Sequence, residues 1–118
     1  MQDKIVINDY IENDPLSEEN LDKTLDLVNE IRLSLPNKSI WIYSGFEWNQ
    51  IFNNGVYLTR DCAGWKRREI VKQCTVMVDG RYIDSQRNPS KKWAGSDNQR
   101  VIDIRKSLEQ NKVILYCD

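Results

Sequence analysis

The 118-residue chain contains no histidine. That absence excludes Ser-His-Asp and Cys-His catalysis, a histidine general base and every metal site built on imidazole. Cysteine is scarce. Cys62, Cys74 and Cys117 are an odd set, too sparse for a disulfide framework, and the 11 and 42 residues between them exclude a compact cluster-binding loop. No apolar run approaches the ~20 residues needed to span a bilayer, and no basic-then-apolar leader opens the chain. A cytoplasmic protein with no membrane partner is the expectation. With three prolines, five glycines, no repeat and no Pro/Gly/Ser-rich linker, residues 1–118 read as one domain.

Charge is balanced in total and uneven along the chain. Seventeen basic and eighteen acidic side chains give a net of −1. Residues 1–40 hold four basic and nine acidic groups, a net of −5, whereas residues 60–92 hold nine basic and four acidic, a net of +5. Either the two regions face each other or they make a dipolar molecule that steers toward an acidic partner.

Periodicity gives the elements. Lys4–Ile7 is a β-branched run and reads as a strand. Asp14-Pro15-Leu16-Ser17 breaks it, with Ser17 placed to cap a helix over residues 18–35, whose Leu21, Leu25, Val28, Ile31, Arg32 and Leu35 share one face. Ser39–Ser44 is apolar almost throughout, as a strand buried on both faces should be. Glu47–Phe52 reads as a short helix, Asn53–Gly55 as a turn, Val56–Thr59 as a short extended piece and Trp65–Gln73 as a basic helix. Thr75–Val78 is a third buried strand, residues 84–100 are polar and irregular, and Val101–Ile104 and Lys112–Tyr116 read as two final strands. The order β-α-β-α-β points to an α/β domain with parallel strands.

Three segments are more specific: Lys38-Ser39-Ile40-Trp41-Ile42-Tyr43-Ser44-Gly45-Phe46, Val76-Met77-Val78-Asp79-Gly80-Arg81-Tyr82 and Trp93-Ala94-Gly95-Ser96-Asp97-Asn98-Gln99-Arg100. In this order, with Asp14-Pro15-Leu16 and a Leu-rich helix ahead of them, they resemble the anaerobic ribonucleotide reductase activating proteins over roughly residues 14–103. The resemblance implies a truncated radical-S-adenosylmethionine-like partial barrel, a mainly parallel sheet with flanking helices. Members of that family hold a [4Fe–4S] cluster on a Cys-x3-Cys-x2-Cys loop, cleave S-adenosylmethionine there, and generate a radical on a glycine of the reductase. Such clusters need thiolate ligands. The loop would lie before the matched region, and no segment of this chain replaces it. Where the family has Gly-Gly-Asp-Pro, this chain has Glu12-Asn13-Asp14-Pro15, and Ala94 stands where the family has Arg. The expectation is therefore no catalytic residue, no metal and no cofactor.

Two constellations remain. Trp65-Lys66-Arg67-Arg68 and Lys91-Lys92-Trp93 interleave cations with aromatics, which suits an acidic protein surface or nucleic acid, or else a solvated face with half-buried tryptophans. Ser96-Asp97-Asn98-Gln99-Arg100 is either a residual pocket or a loop whose side chains satisfy its own backbone. The reading that follows is a catalytically inactive, activase-derived domain that binds a protein target with an acidic surface as a decoy or inhibitor of a host enzyme or defence nuclease, in the manner of a phage or mobile-element protein. Its alternatives are an activase remnant or portion that still assists the reductase, and a nucleic-acid-binding module. The first strand should lie at an unprotected sheet edge, remedied by a homodimer, by strand addition from a target, or by the chain's own Lys112–Tyr116.

Overall fold

The computed structural model describes residues 4–52 and 62–116. The expected turn at Asn53–Gly55, the extended piece at Val56–Thr59 and Cys117 lie outside the described residues. A four-stranded sheet, ordered β1-β2-β3-β4, consists of β1 (Lys4–Val6), β2 (Ser39–Ser44), β3 (Val76–Asp79) and β4 (Arg100–Asp103). The first three strands are mutually parallel, with Ile5 opposite Ile40 and Ile42 opposite Met77. Helix α1 (Leu21–Ser34) connects β1 to β2, while α2 (Trp48–Ile51) and α3 (Cys62–Lys72) lie between β2 and β3.

β4 runs antiparallel to β3, Met77 facing Ile102. The reason is the connection. Residues 80–99 hold only a 3₁₀ turn at Asp84–Gln86 and no crossover helix, so the chain re-enters the sheet from the end at which β3 left it. Ile104, expected to end a strand, instead begins α4 (Ile104–Gln110). Asp103 caps that helix through Lys106 N–H at 3.0 Å, and Asn111 ends it in the left-handed conformation at φ 57°.

Strand alternation sorts the core. Ile40, Ile42, Met77 and Ile102 point to the helical face and pack with Leu21, Val28, Ile31, Ile70 and Val71. Trp41, Val76 and Val78 point to the other face, where no helix lies among the described residues; Trp93, Ala94, Val101 and Tyr116 cover them. β2 and β3 are thus buried from both sides, as their composition requires. Leu35, expected on the buried face of α1, is 43% exposed; the helix has ended, and Arg32 instead ties this corner together through the carbonyls of Pro36, Lys38 and Gln73.

Two further expectations change. Ser17 accepts no capping bond; its hydroxyl donates instead to the Asp14 carbonyl at 2.9 Å, and a 3₁₀ turn at Glu18–Asn20 intervenes before the helix. Lys112–Tyr116 touches the sheet through one bridge, Leu115 to Ile102, with bonds from Asp103 N–H to Ile114 O (2.9 Å) and from Tyr116 N–H to Val101 O (2.8 Å). It therefore runs along the outer side of β4, at the opposite edge from β1, and leaves the edge of β1 untouched. No helix among the described residues is long and apolar enough to cross a membrane.

Candidate functional site

Parallel strands leave a crevice beyond their carboxyl ends, the usual place for ligands in open α/β sheets. Here that crevice is a cleft of about 490 Å³, bounded by Asn8 after β1, Ser44 and Gly45 at the end of β2, and Gly80 to Tyr82 after β3. Asn13, Asp14, Tyr43, Phe46, Gln50 and Gln99 complete its walls.

Asp14 organises one side. Its carboxylate accepts from Leu16 N–H (2.9 Å), Ser44 Oγ (2.8 Å) and Gly45 N–H (2.8 Å), fastening the loop before α1 to the end of β2. The neighbouring Asn13 holds φ 66°, a left-handed conformation that asparagine tolerates better than most residues and glycine best. The backbone course suited to a glycine thus persists with a side chain attached to it.

Asp79 organises the other side. It is 1% exposed and accepts from Arg100 Nε (3.1 Å), Arg100 Nη2 (2.7 Å) and Trp48 N–H (2.8 Å). The hydrogen bond to Asp79 raises the guanidinium pKa of Arg100 above its ordinary value, against the opposing effect of burial. Gly80 follows at φ 99°, a backbone conformation that residues with a side chain rarely adopt; a Cβ there would make only ordinary contact with Asn98 Nδ2 at 3.5 Å, so the dihedral and not crowding calls for glycine. Burial also pushes up the pKa of the Tyr43 phenol in the wall between these two sides.

The Ser96–Arg100 segment is largely occupied with the loop itself. Gln99 Oε1 accepts from the N–H groups of Gly95 (2.8 Å) and Ser96 (3.0 Å), and its Nε2 donates to Gly80 O (3.0 Å). Asn98 donates to Arg81 O (2.8 Å) and accepts from Ser96 Oγ (2.6 Å), and buried Ser96 accepts from Ile83 N–H. Of these five residues Gln99 alone lines the cleft. Asp97 and Arg100, with Gln99 again, join Lys91, Lys92 and Trp93 around a second cavity of about 270 Å³ on the face that bears no helix among the described residues.

The structure separates the two basic–aromatic groups. Trp65, Lys66, Arg67 and Arg68 belong to α3, on the helical face, whereas Trp93 packs on the opposite face. Trp65 is half-exposed, and Lys66 pairs with Asp22 of α1, so part of the basic segment does face the acidic one. Arg67 donates to Leu16 O (2.7 Å) and lies 4.3 Å over the Phe46 ring, which makes it a strut behind the cleft. Asn8, Asp14, Tyr43, Arg81 and Tyr82 line the cleft without having stood out as ligand-binding residues; for Asn8 the available signal was a polar residue directly after an apolar run, and the other four carried none.

A family profile described as "4Fe-4S single cluster domain" matches residues 13–102. The chain is 32% identical over 92 residues to the anaerobic ribonucleoside-triphosphate reductase-activating protein of Escherichia coli K12, covering 78% of this chain and 52% of that protein. The activating protein of Enterobacteria phage T4 is 33% identical over 89 residues, covering 75% of this chain and 47% of the T4 protein. The Haemophilus influenzae protein is 28% identical over 88 residues. The chain thus spans about half the length of the curated relatives it matches. No solved structure matches it.

The described residues do not fit an iron–sulfur cluster. Cys62 and Cys74 are the cysteines of the matched region. Cys74 is buried in the helical core, its thiol donating to Ile70 O at 3.3 Å, and burial pushes its pKa up to about 12, with Arg32 opposing. That environment disfavours the thiolate an iron centre needs. No group of three or more His, Cys, Asp or Glu placed to hold a metal ion occurs among the described residues.

Proposed function

The chain belongs to the 4Fe-4S single cluster domain family, and from that membership we infer that it is an activase-derived domain that assists an anaerobic ribonucleoside-triphosphate reductase by binding to it. The carrying observation is the extent of the family match. It takes in Asp14, Ser44, Asp79 and Gln99, the residues that build the cleft, so the scaffold matches as a unit and not as a short motif. On this reading the sheet is a piece of the partial barrel that the resemblance implies, and it contributes shape and contacts. The chain's own described residues supply no thiolate set, which supports a binding role over cluster chemistry.

A second reading rests on a different observation. Asn13 brings a side chain into the cleft at a position where the resemblance to the activating proteins implies glycine, which favours a domain that occupies the activase's place without its chemistry. Such a domain acts as a decoy or inhibitor, and the relative in phage T4 is in keeping with a mobile-element origin.

One experiment tests both. The purified chain is titrated onto an anaerobic reductase by calorimetry, and the glycyl radical yield is then measured by electron paramagnetic resonance with a full-length activating protein present. Saturable binding with unchanged or increased radical yield is the expected result. Saturable binding with suppressed yield selects the inhibitor, and absence of binding overturns both readings.

A further inference from the structure

The helix-free face of the sheet carries an aromatic cluster with cations on it. Trp41, Trp93 and Tyr116 meet edge to face, with centroids 5.3 to 5.4 Å apart. The Lys4 ammonium lies 3.9 Å from the Trp41 centroid and the Lys92 ammonium 4.6 Å from that of Trp93. Trp93 also holds φ 66°, a left-handed conformation that a bulky residue adopts only when its surroundings impose it. Tyr116 is held in place from the far side by its bond to Val101 O.

Beside this cluster is the second cavity, of about 270 Å³, where Lys91, Lys92 and Arg100 meet Trp93, Leu115 and Tyr116; Asp97 lines it too and Arg100 is already paired with Asp79 at 2.7 Å, so the excess positive charge comes from Lys91 and Lys92. Lys91 is fixed by the carbonyl oxygens of Asp97 (2.9 Å) and Gln99 (2.5 Å), neutral acceptors that orient its charge without cancelling it. Leu115 is 59% exposed at the rim.

We propose that this cavity is a docking site for an acidic segment of a partner protein, whose carboxylates meet Lys91 and Lys92 while an apolar side chain lies on Leu115 and Tyr116. One observation favours an acidic peptide over nucleic acid. Base stacking needs an open aromatic face, and ammonium groups already lie over Trp41 and Trp93. The site stands apart from the cleft and does not depend on the reductase reading.

The test uses the full chain, tryptophan fluorescence, a synthetic peptide of alternating glutamate and leucine, and oligo(dT) of matched charge. The peptide is expected to bind saturably, and more weakly as ionic strength rises to about 0.15 M, where the screening length falls to ~8 Å. Lys92→Glu and, separately, Leu115→Ser are expected to weaken binding roughly tenfold while leaving the far-ultraviolet spectrum unchanged. Arg68→Glu, on the opposite face, is expected to leave binding as it was. Equal loss with Arg68→Glu, tighter binding of oligo(dT) than of peptide, or no saturable peptide binding each overturns the proposal.

Discussion

The side-chain amide of Asn8 hydrogen-bonds both the C=O and the N–H of Tyr43, at 2.9 Å each. Val6 pairs with Trp41, so Asn8 stands at the register position of Tyr43, two steps past the end of β1. Its side chain therefore does for Tyr43 what a strand backbone would have done, while the main chain has already turned into a 3₁₀ segment at Ile7–Asp9. The substitution of side chain for backbone ends the ladder and opens the cleft at one stroke.

Asn8→Ala leaves two part-buried backbone groups of a central strand without partners. The expected loss is about 1–3 kcal/mol, read from the midpoint of urea denaturation. Asn49→Ala, at an exposed position on α2, should stay within about 0.5 kcal/mol. Equal effects at the two positions would show that the Asn8 bonds contribute nothing.

The strands and α1 were legible because apolar alternation and helical periodicity reflect burial directly. The antiparallel β4 was not, since direction depends on how residues 80–99 return, and a polar loop has no periodic signature. Helix α4 was hidden by its brevity: at seven residues, Ile104–Gln110 offers barely two turns of pattern, and its cap, Asp103, doubles as the last residue of a strand. The cleft was only half legible. Asp14-Pro15 reads as a turn from sequence, and nothing in its spacing says that the carboxylate reaches Ser44, thirty residues on. The Lys91–Trp93 and Asp97–Arg100 groups meet in one cavity because both flank the same loop, whereas the α3 cations were carried to the other face by their helix.

Cys74 sets an alkaline dependence. Its thiol is buried and its pKa rises from 9.0 to about 12 on folding. Between these values the unfolded chain has released the proton and the folded chain retains it. The stabilisation is complete below about pH 9 and is lost as pH climbs toward 12, at no more than about 1.4 kcal/mol per pH unit. Tyr43, also raised by burial, adds to the same slope above its ordinary value of 10.0. Cys74→Ala should flatten the fall of stability above pH 9 relative to the parent chain. An unchanged slope would assign the alkaline loss elsewhere.

Anaerobic reconstitution with iron and sulfide should leave this chain colourless. The expectation rests on the core position of Cys74 and on the absence, among the described residues, of any grouped set of metal-binding side chains. Iron and labile-sulfide assays check it directly. About four irons per chain, with charge-transfer absorbance, would contradict it, because a [4Fe–4S] cluster is held by several thiolates brought together.

Charge reversal along α3 should separate into three different outcomes. Lys66 meets Asp22, whose side chain is 81% exposed, and a surface pair of this kind contributes about 0–1 kcal/mol. Lys66→Glu is therefore expected to have a small effect that fades with added salt. Arg68 is half-buried on α3, and Arg68→Glu is expected to cost about 1 kcal/mol, less than the loss of the strut at Arg67. Arg67 differs because its guanidinium serves two partners, the Leu16 carbonyl and the Phe46 ring, which flank Asp14 and Gly45 at the wall of the cleft. Arg67→Glu removes a charged donor and sets a carboxylate against a carbonyl oxygen, with an expected cost of about 1.5–3 kcal/mol. A triple reversal thus tests the strut and the surface charge together and cannot distinguish them. The three single variants can, by thermal or urea denaturation of each. If Arg67→Glu proves as mild as Arg68→Glu, the strut contributes nothing to holding α3 against the cleft wall.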